Sequence, residues 1–303
     1  MAIPTADAAT PATPDAGGAL TQTIRVAVPE RGLRQDARAA SIVWRRELIR
    51  FRTDRLRAVT SLIQPVLFLF ILGTGLGSLA SRGLPPGISF KTFIYPGVLA
   101  MAVLFTAIFS AGSIVWDREF GFLREMLVAP VNRGAIVLGK CLGGATVATF
   151  QGIVVLILAG LADVPYNPVL ILTLIGELLL LSFTLTAFGV MMAARIKQIQ
   201  AFMALTQMLI MPLFFLSGAL YPLNGLPAWL TVLTRIDPLT YIVDPMRRAV
   251  FSHLTISPQA LHILAPGVSW FGWVVPTGLC LAIVAAMGIA MAAIAIVEFN
   301  KTE

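Results

Sequence analysis

The chain has 303 residues, 57% of them hydrophobic and 12% charged, about half the charged share of an ordinary soluble domain. Too few polar side chains remain to cover a soluble core, so a soluble enzyme is excluded and the composition is that of a membrane protein. A net charge of +7 does not imply nucleic acid, because the Lys and Arg residues gather on one side of the apolar segments.

Residues 1–37 are rich in Ala, Thr, Pro, Asp and Gly and hold no apolar core of signal-peptide length. They read as a disordered, uncleaved cytoplasmic arm ahead of a membrane domain over 38–303. From Ala39 to Arg57, Ile42, Trp44, Leu48, Ile49, Phe51 and Leu56 recur at helical spacing, with Arg46, Glu47, Arg50, Asp54 and Arg57 on the other face. This is an amphipathic helix for a membrane surface, or a cytoplasmic extension of the first span. No charge occurs from Ala58 to Ser81, and those 24 residues would rise about 36 Å as a helix, enough for a hydrocarbon core about 30 Å thick.

Further spans run from Thr92 to Trp116, Cys141 to Ala162, Val169 to Ala194, about Gln198 to Tyr221 and about Gly272 to Val297. Six spans put both termini on one side. Ten Lys and Arg precede the first span, four lie between Asp117 and Lys140, two between Arg195 and Lys197, and one in the tail. The other side holds Arg82, Lys91, Arg235, Arg247 and Arg248. Basic residues near span ends are retained in the cytoplasm, so both termini are expected there.

Cys141 and Cys280 lie in apolar runs and make no disulfide framework. His253 and His262 are nine residues apart, off the spacing that puts two metal ligands on one helical face. Gly134 to Cys141 nearly matches the phosphate-binding loop G-x-x-x-x-G-K-[ST]. However, Cys141 replaces the hydroxyl that would meet magnesium, residues 135–138 are apolar, and a membrane span follows. No cofactor is expected on this chain, and ATP with its magnesium would belong to a partner subunit.

The string DREFGFLREMLVAP, from Asp117 to Pro130, is the most informative stretch. Phe122 with Met126, and Leu123 with Leu127, share one face of a short helix that Pro130 would end, with Arg118, Arg124 and Glu125 beside them. An exposed apolar patch rimmed with charge is a docking surface, and an interfacial helix on lipid is the other reading. With Arg133 and Gly139-Lys140 after it, this stretch resembles the permease subunits of ABC-2 type transporters, exporters of drugs, lipo-oligosaccharides and polysaccharides. FLSGALYP at 215–222, LPAW at 226–229, DPLTY at 237–241 and Arg247 are similar to the same family, so the resemblance covers about residues 38 to 300.

The resemblance implies an all-α polytopic fold of six transmembrane helices behind an amphipathic connecting helix. It also implies short re-entrant helices between spans five and six, for which an amphipathic cap is the alternative. It further implies a homodimer or related heterodimer that binds two copies of a cytoplasmic P-loop ATPase subunit. Contact would come through the connecting helix, with Arg46, Glu47, Arg50 and Asp54, and through Arg118, Glu119, Phe120, Phe122, Leu123, Arg124, Glu125 and Met126. Membrane lipid surrounds the rest.

Asp237 before Pro238 and Asp244 before Pro245 both read as helix starts. Glu177 lies inside the fourth span and should face the bundle, be protonated or have a partner, with Arg247 and Arg248 as candidates. It is either a substrate contact or a link to a neighbouring helix. Met101, Phe105 and Phe109 on span two, and Phe202, Gln207, Met211 and Phe215 on span five, form stripes that suit a path for apolar molecules or ordinary helix packing. Together these features describe the membrane subunit of an ATP-driven exporter for amphipathic drug-like, lipid-linked or glycan cargo. An ion-driven secondary transporter or channel would call on more intramembrane charge or matched halves, and an intramembrane enzyme lacks its motifs.

Overall fold

The computed structural model describes residues 32–77, 84–85, 88–122, 131–223, 225–254, 256–270 and 272–302. Among these the chain is helical almost throughout, and six segments are long and apolar enough to cross a membrane. The expected all-α polytopic fold is the observed one.

Helix α1 (Leu33–Thr53) ends at Asp54, whose backbone leaves the helical region, and α2 (Arg55–Leu67) is the start of span one. Pro65 has no N–H to give, and the ladder passes into a π-helical turn at Phe68–Leu72 shortly after it. Span two is α3 (Phe90–Glu119), whose sequence is apolar on every side, so it is enclosed on every side. Ser89 starts it by accepting the Thr92 amide at 3.2 Å. Helices α4 (Arg133–Leu156, extended by a tight turn at Ile157–Ala162) and α5 (Pro168–Arg195) pack beside it. Each begins with an Asn cap, Asn132 on the Gly134 amide and Asn167 on the Val169 amide, both at 2.9 Å. Span five, α6 (Ile199–Leu216), touches the bundle mainly through α3 and leaves much of its own surface open.

Three short helices lie between spans five and six: α7 (Ala228–Ile236), α8 (Thr240–Ser252) and α9 (Pro258–Leu264). A two-stranded hairpin follows, β1 (Ser269–Trp270) against β2 (Trp273–Val274), and α10 (Thr277–Thr302) forms span six along α5. Helix α8 is folded back among α3, α5 and α10 and is buried along almost its whole length. Arg247 reaches from it to the Gly218 and Ala219 carbonyls at 2.6 and 3.1 Å, with its guanidinium 4.3 Å over the Phe93 ring.

Several boundaries differ from those read in the sequence, each for a physical reason. The amphipathic helix begins at Leu33 rather than Ala39, and the Asn132 amide is bonded to Asp36 in its first turn. Span three starts at Arg133 rather than Cys141, because Lys140 is neutralised inside the protein and need not mark a span end. Span five stops at Leu216, and span six starts at Thr277, since Gly272 belongs to the hairpin turn. Pro245 sits inside α8 rather than starting a helix, and Asp244 pairs with Arg248 at 2.6 Å and accepts the Val268 amide.

Asp237 does cap the turn into α8, taking the Leu239 amide at 2.9 Å on one oxygen, while its other oxygen is buried with no hydrogen-bond partner among the described residues. Burial pushes its carboxyl up to about 8, against the lowering effect of the Leu239 amide. A raised pKa means that the folded chain holds a proton that the unfolded chain has released, so this contribution is full at low pH and is lost as pH rises through 8. The unfolding free energy of the purified chain should therefore fall by about 2 kcal/mol between pH 6 and pH 8. Asp237→Asn should flatten that slope, and an unchanged slope would show that Asp237 does not cause it.

Candidate functional site

Lys140 lies two turns into α4, where a lone ammonium in apolar surroundings would cost several kcal/mol. It is 3% exposed, and all three of its protons are used. Nζ donates to Glu47 Oε1 at 2.6 Å, to Asp117 Oδ2 at 2.8 Å and to Ser113 Oγ at 2.9 Å. Arg46 donates to the second oxygen of Asp117 at 2.6 Å, and Arg50 stands 3.9 Å from it. Three helices thus meet at one charge node: α1 through Glu47 and Arg46, α3 through Ser113 and Asp117, α4 through Lys140. Such close approach needs small residues. A Cβ on Gly139 would come within 2.7 Å of the Ala40 carbonyl, and one on Gly143 within 2.7 Å of Glu47 Cβ.

The node turns α1 inside out. Glu47, on the polar face read from the sequence, is 4% exposed and points into the bundle, while Ile42 and Ile49 form an outward apolar stripe. Water would penalise that arrangement, and lipid does not. The near-match to a phosphate loop is also explained. Residues 134–140 are regular helix, so their amides serve the Asn132 cap and the helix ladder, and the Gly-Lys pair serves packing and charge.

At the end of α3, the residues expected to dock a partner divide into two groups. Arg118 donates to the Ala193, Ala194 and Ile196 carbonyls at 2.7 to 3.1 Å, and Glu119 accepts the Ile199 amide at 2.8 Å. They satisfy the open end of α5 and the start of α6, as free helix termini require, with Arg118 half-buried and Glu119 still exposed. Phe120 and Phe122 are 59% and 56% exposed, and Trp116 stacks on Phe120 with centroids 5.1 Å apart. With Ile49, Arg46, Arg50 and Asp117 they line an open groove of about 460 Å³. Leu123, Arg124, Glu125 and Met126 lie outside the described residues.

A second cavity, of about 390 Å³, lies between α1, span one and α3. Glu47, Arg50 and Asp54 line it from the α1 side, and Phe105, Thr106, Phe109 and Ser113 from α3, with Gln207 reaching in from α6. The Thr106 hydroxyl is buried there with no hydrogen-bond partner among the described residues. Of the residues proposed for a path, the fold brings Phe105, Phe109 and Gln207 together. Met101 and Phe202 are instead fully enclosed, Phe202 against Gly112, and Met211 and Phe215 lie on the less buried side of α6. Glu177 is buried, does not line the cavity, and has neither oxygen hydrogen-bonded among the described residues. Its expected partners are engaged elsewhere, Arg248 with Asp244 and Arg247 with the two carbonyls after span five.

Residues 38–251 match the family model for the ABC-2 type transporter. The chain belongs to that family. Among curated relatives, the putative transport permease ycf38 of Cyanophora paradoxa is 28% identical over 70% of this chain and 73% of its own length. Nodulation protein J of Rhizobium leguminosarum bv. viciae is 29% identical over 73% of this chain and 85% of its own. The probable multidrug ABC transporter permease YbhR of Escherichia coli K12 is 31% identical over 52% of this chain and 44% of its own. The protein is therefore a multi-pass ABC transporter permease subunit, a non-catalytic membrane component whose family works with an ATP-binding subunit.

In this ABC-2 permease the residues that sequence reasoning missed are Lys140, Asp117 and Ser113. A lysine seven positions into a helix that crosses a membrane was their signal, because such a charge demands acidic company. Removing the charge alone, with Lys140→Met, strands the buried Glu47 carboxylate, leaves Asp117 to the partly exposed Arg46 and Arg50, and should cost roughly 3–5 kcal/mol of stability in detergent unfolding. Adding Glu47→Gln and Asp117→Asn should recover most of the loss. A single variant as stable as the parent would mean the node does not hold α1.

Proposed function

We propose that this chain is the membrane half of an ATP-driven exporter that carries amphipathic molecules outward across the cell membrane. Both termini and α1 lie on the cytoplasmic side, as the distribution of Lys and Arg favours. Two copies, or one copy and a related permease, pair in the membrane, and each binds a P-loop ATPase subunit that holds the ATP and magnesium. The observation that carries this reading is the groove at the end of α3. Trp116, Phe120 and Phe122 are exposed there beside Arg46 and Arg50, a combination of aromatic anchors and guanidinium groups typical of protein interfaces.

The cavity behind it supplies the substrate side. Its aromatic rings, amide and hydroxyls suit a molecule with apolar and polar parts, and the multidrug name of one relative supports such cargo. ATP binding on the partner moves the groove, and the equilibrium between inward and outward forms follows the difference in contacts between them.

Purifying the tagged chain in mild detergent from its native cell should bring with it a P-loop ATPase in about equal amount. Phe120→Ala with Phe122→Ala should weaken that capture about tenfold, the usual effect of truncating a central aromatic anchor. An ATPase retained at full strength by the double variant would place the interface elsewhere. A chain that purifies alone and drives flux from an ion gradient would overturn the exporter reading.

A further inference from the structure

The groove and the cavity are two neighbouring concavities. Asp117 lines the groove, Glu47 and Ser113 line the cavity, and the ammonium of Lys140 is hydrogen-bonded to all three. Arg50 lines both. Along α3 the two walls are joined covalently, since Asp117 and Ser113 are one helical turn apart. Along α1 the walls are likewise one helix, with Arg46 and Ile49 in the groove and Glu47 in the cavity. Between the two helices the buried tie is Lys140, which holds Glu47 and Asp117 at once, beside the partly exposed Arg46–Asp117 pair and a longer Ser113–Glu47 hydrogen bond of 3.4 Å.

We propose that Lys140 is a positioning residue that makes the groove and the cavity change shape together, so that what fills the groove sets the opening between α1 and α3. This rests on the reading of the groove as the docking site and the cavity as part of the transport path. The ammonium has no fourth proton to donate and is enclosed by the protein, so a shift of Asp117 away from it leaves a buried charge uncompensated. The lower-energy response is for Lys140 to follow Asp117 and for Glu47 to follow Lys140. Arg46 reinforces the link from the partly exposed side, where a charge can be rehydrated, and so constrains the motion less.

The test uses the chain alone in lipid nanodiscs. Ser110→Cys places a thiol in the cavity, and its rate of reaction with a small methanethiosulfonate reports the opening; Cys141 and Cys280 are fully enclosed. Phe120→Ala perturbs the groove without touching the node's hydrogen bonds. With Lys140 in place, it should change the labelling rate of the introduced thiol by about threefold or more, the range of coupling between residues in one network. In the charge-neutral background Lys140→Met, Glu47→Gln and Asp117→Asn, which leaves no buried ion unpaired, the same substitution should leave the rate unchanged. Equal changes in both backgrounds, or no change in either, would overturn the proposal, since a node that only stabilises the fold moves the melting temperature and not this difference. No ATPase enters the measurement, so failure to capture one would sink the docking reading and not this result.

Discussion

A lysine buried among apolar helices must be neutralised within reach of its own ammonium, and much of this permease follows from how Lys140 meets that demand. Two carboxylates and one hydroxyl satisfy it, and they come from helices that are distant in sequence. The cost of desolvating these groups is recovered only when the geometry is close, which requires α1 to lie directly on α4. Gly139 and Gly143 make that contact possible. The rotation of α1 is then no longer free. Its charged face looks inward, its apolar stripe looks outward, and the helix is suited to a lipid surface as a consequence of an ion pair rather than of hydrophobic burial.

The same economy of charge recurs across that end of the bundle. Arg118 closes the end of α5, Glu119 opens α6, and Arg195 forms a two-bonded pair with Glu298 that ties α5 to α10. With these ions committed to the fold, the groove is left with aromatic side chains, Ile49, and Arg50 beside the Arg46–Asp117 pair. At the other end, α8 is held by Arg247 against the carbonyls after span five and by Asp244 against the hairpin strand region. The two ends thus rest on separate polar networks, joined by span two, which is packed on every side.

The six spans and the helical class were legible because apolar runs of membrane length are a local property of sequence, and the composition left no soluble alternative. The helix at α1 was legible as amphipathic and suited to a membrane surface, but the burial of Glu47 against α3 and α4 was not. Periodicity separates two faces and does not say which one meets protein, and in a membrane the usual inference runs backwards. Arg118 and Glu119 looked available because they follow a span, whereas their partners are backbone groups some 75 to 80 residues away. Phe105, Phe109 and Gln207 were grouped by their chemistry and line one cavity, and Met101 and Phe202 were grouped with them because a helical stripe does not reveal how many neighbours surround each turn. Lys140 was in view throughout, but as a rejected motif and the end of a span.

The inward rotation of α1 is the claim on which the rest depends, and one cross-linking measurement in membranes addresses it. The Val43 Cβ lies 2.8 Å from where a Cβ on Gly139 would stand, within reach of a disulfide once the helices relax slightly. Cysteines at Val43 and Gly139 should therefore join readily under mild oxidation, and cysteines at Ile42 and Gly139 should not. Efficient joining through Ile42, with Val43 unreactive, would mean that the apolar face packs inward and that the charge node does not exist as described.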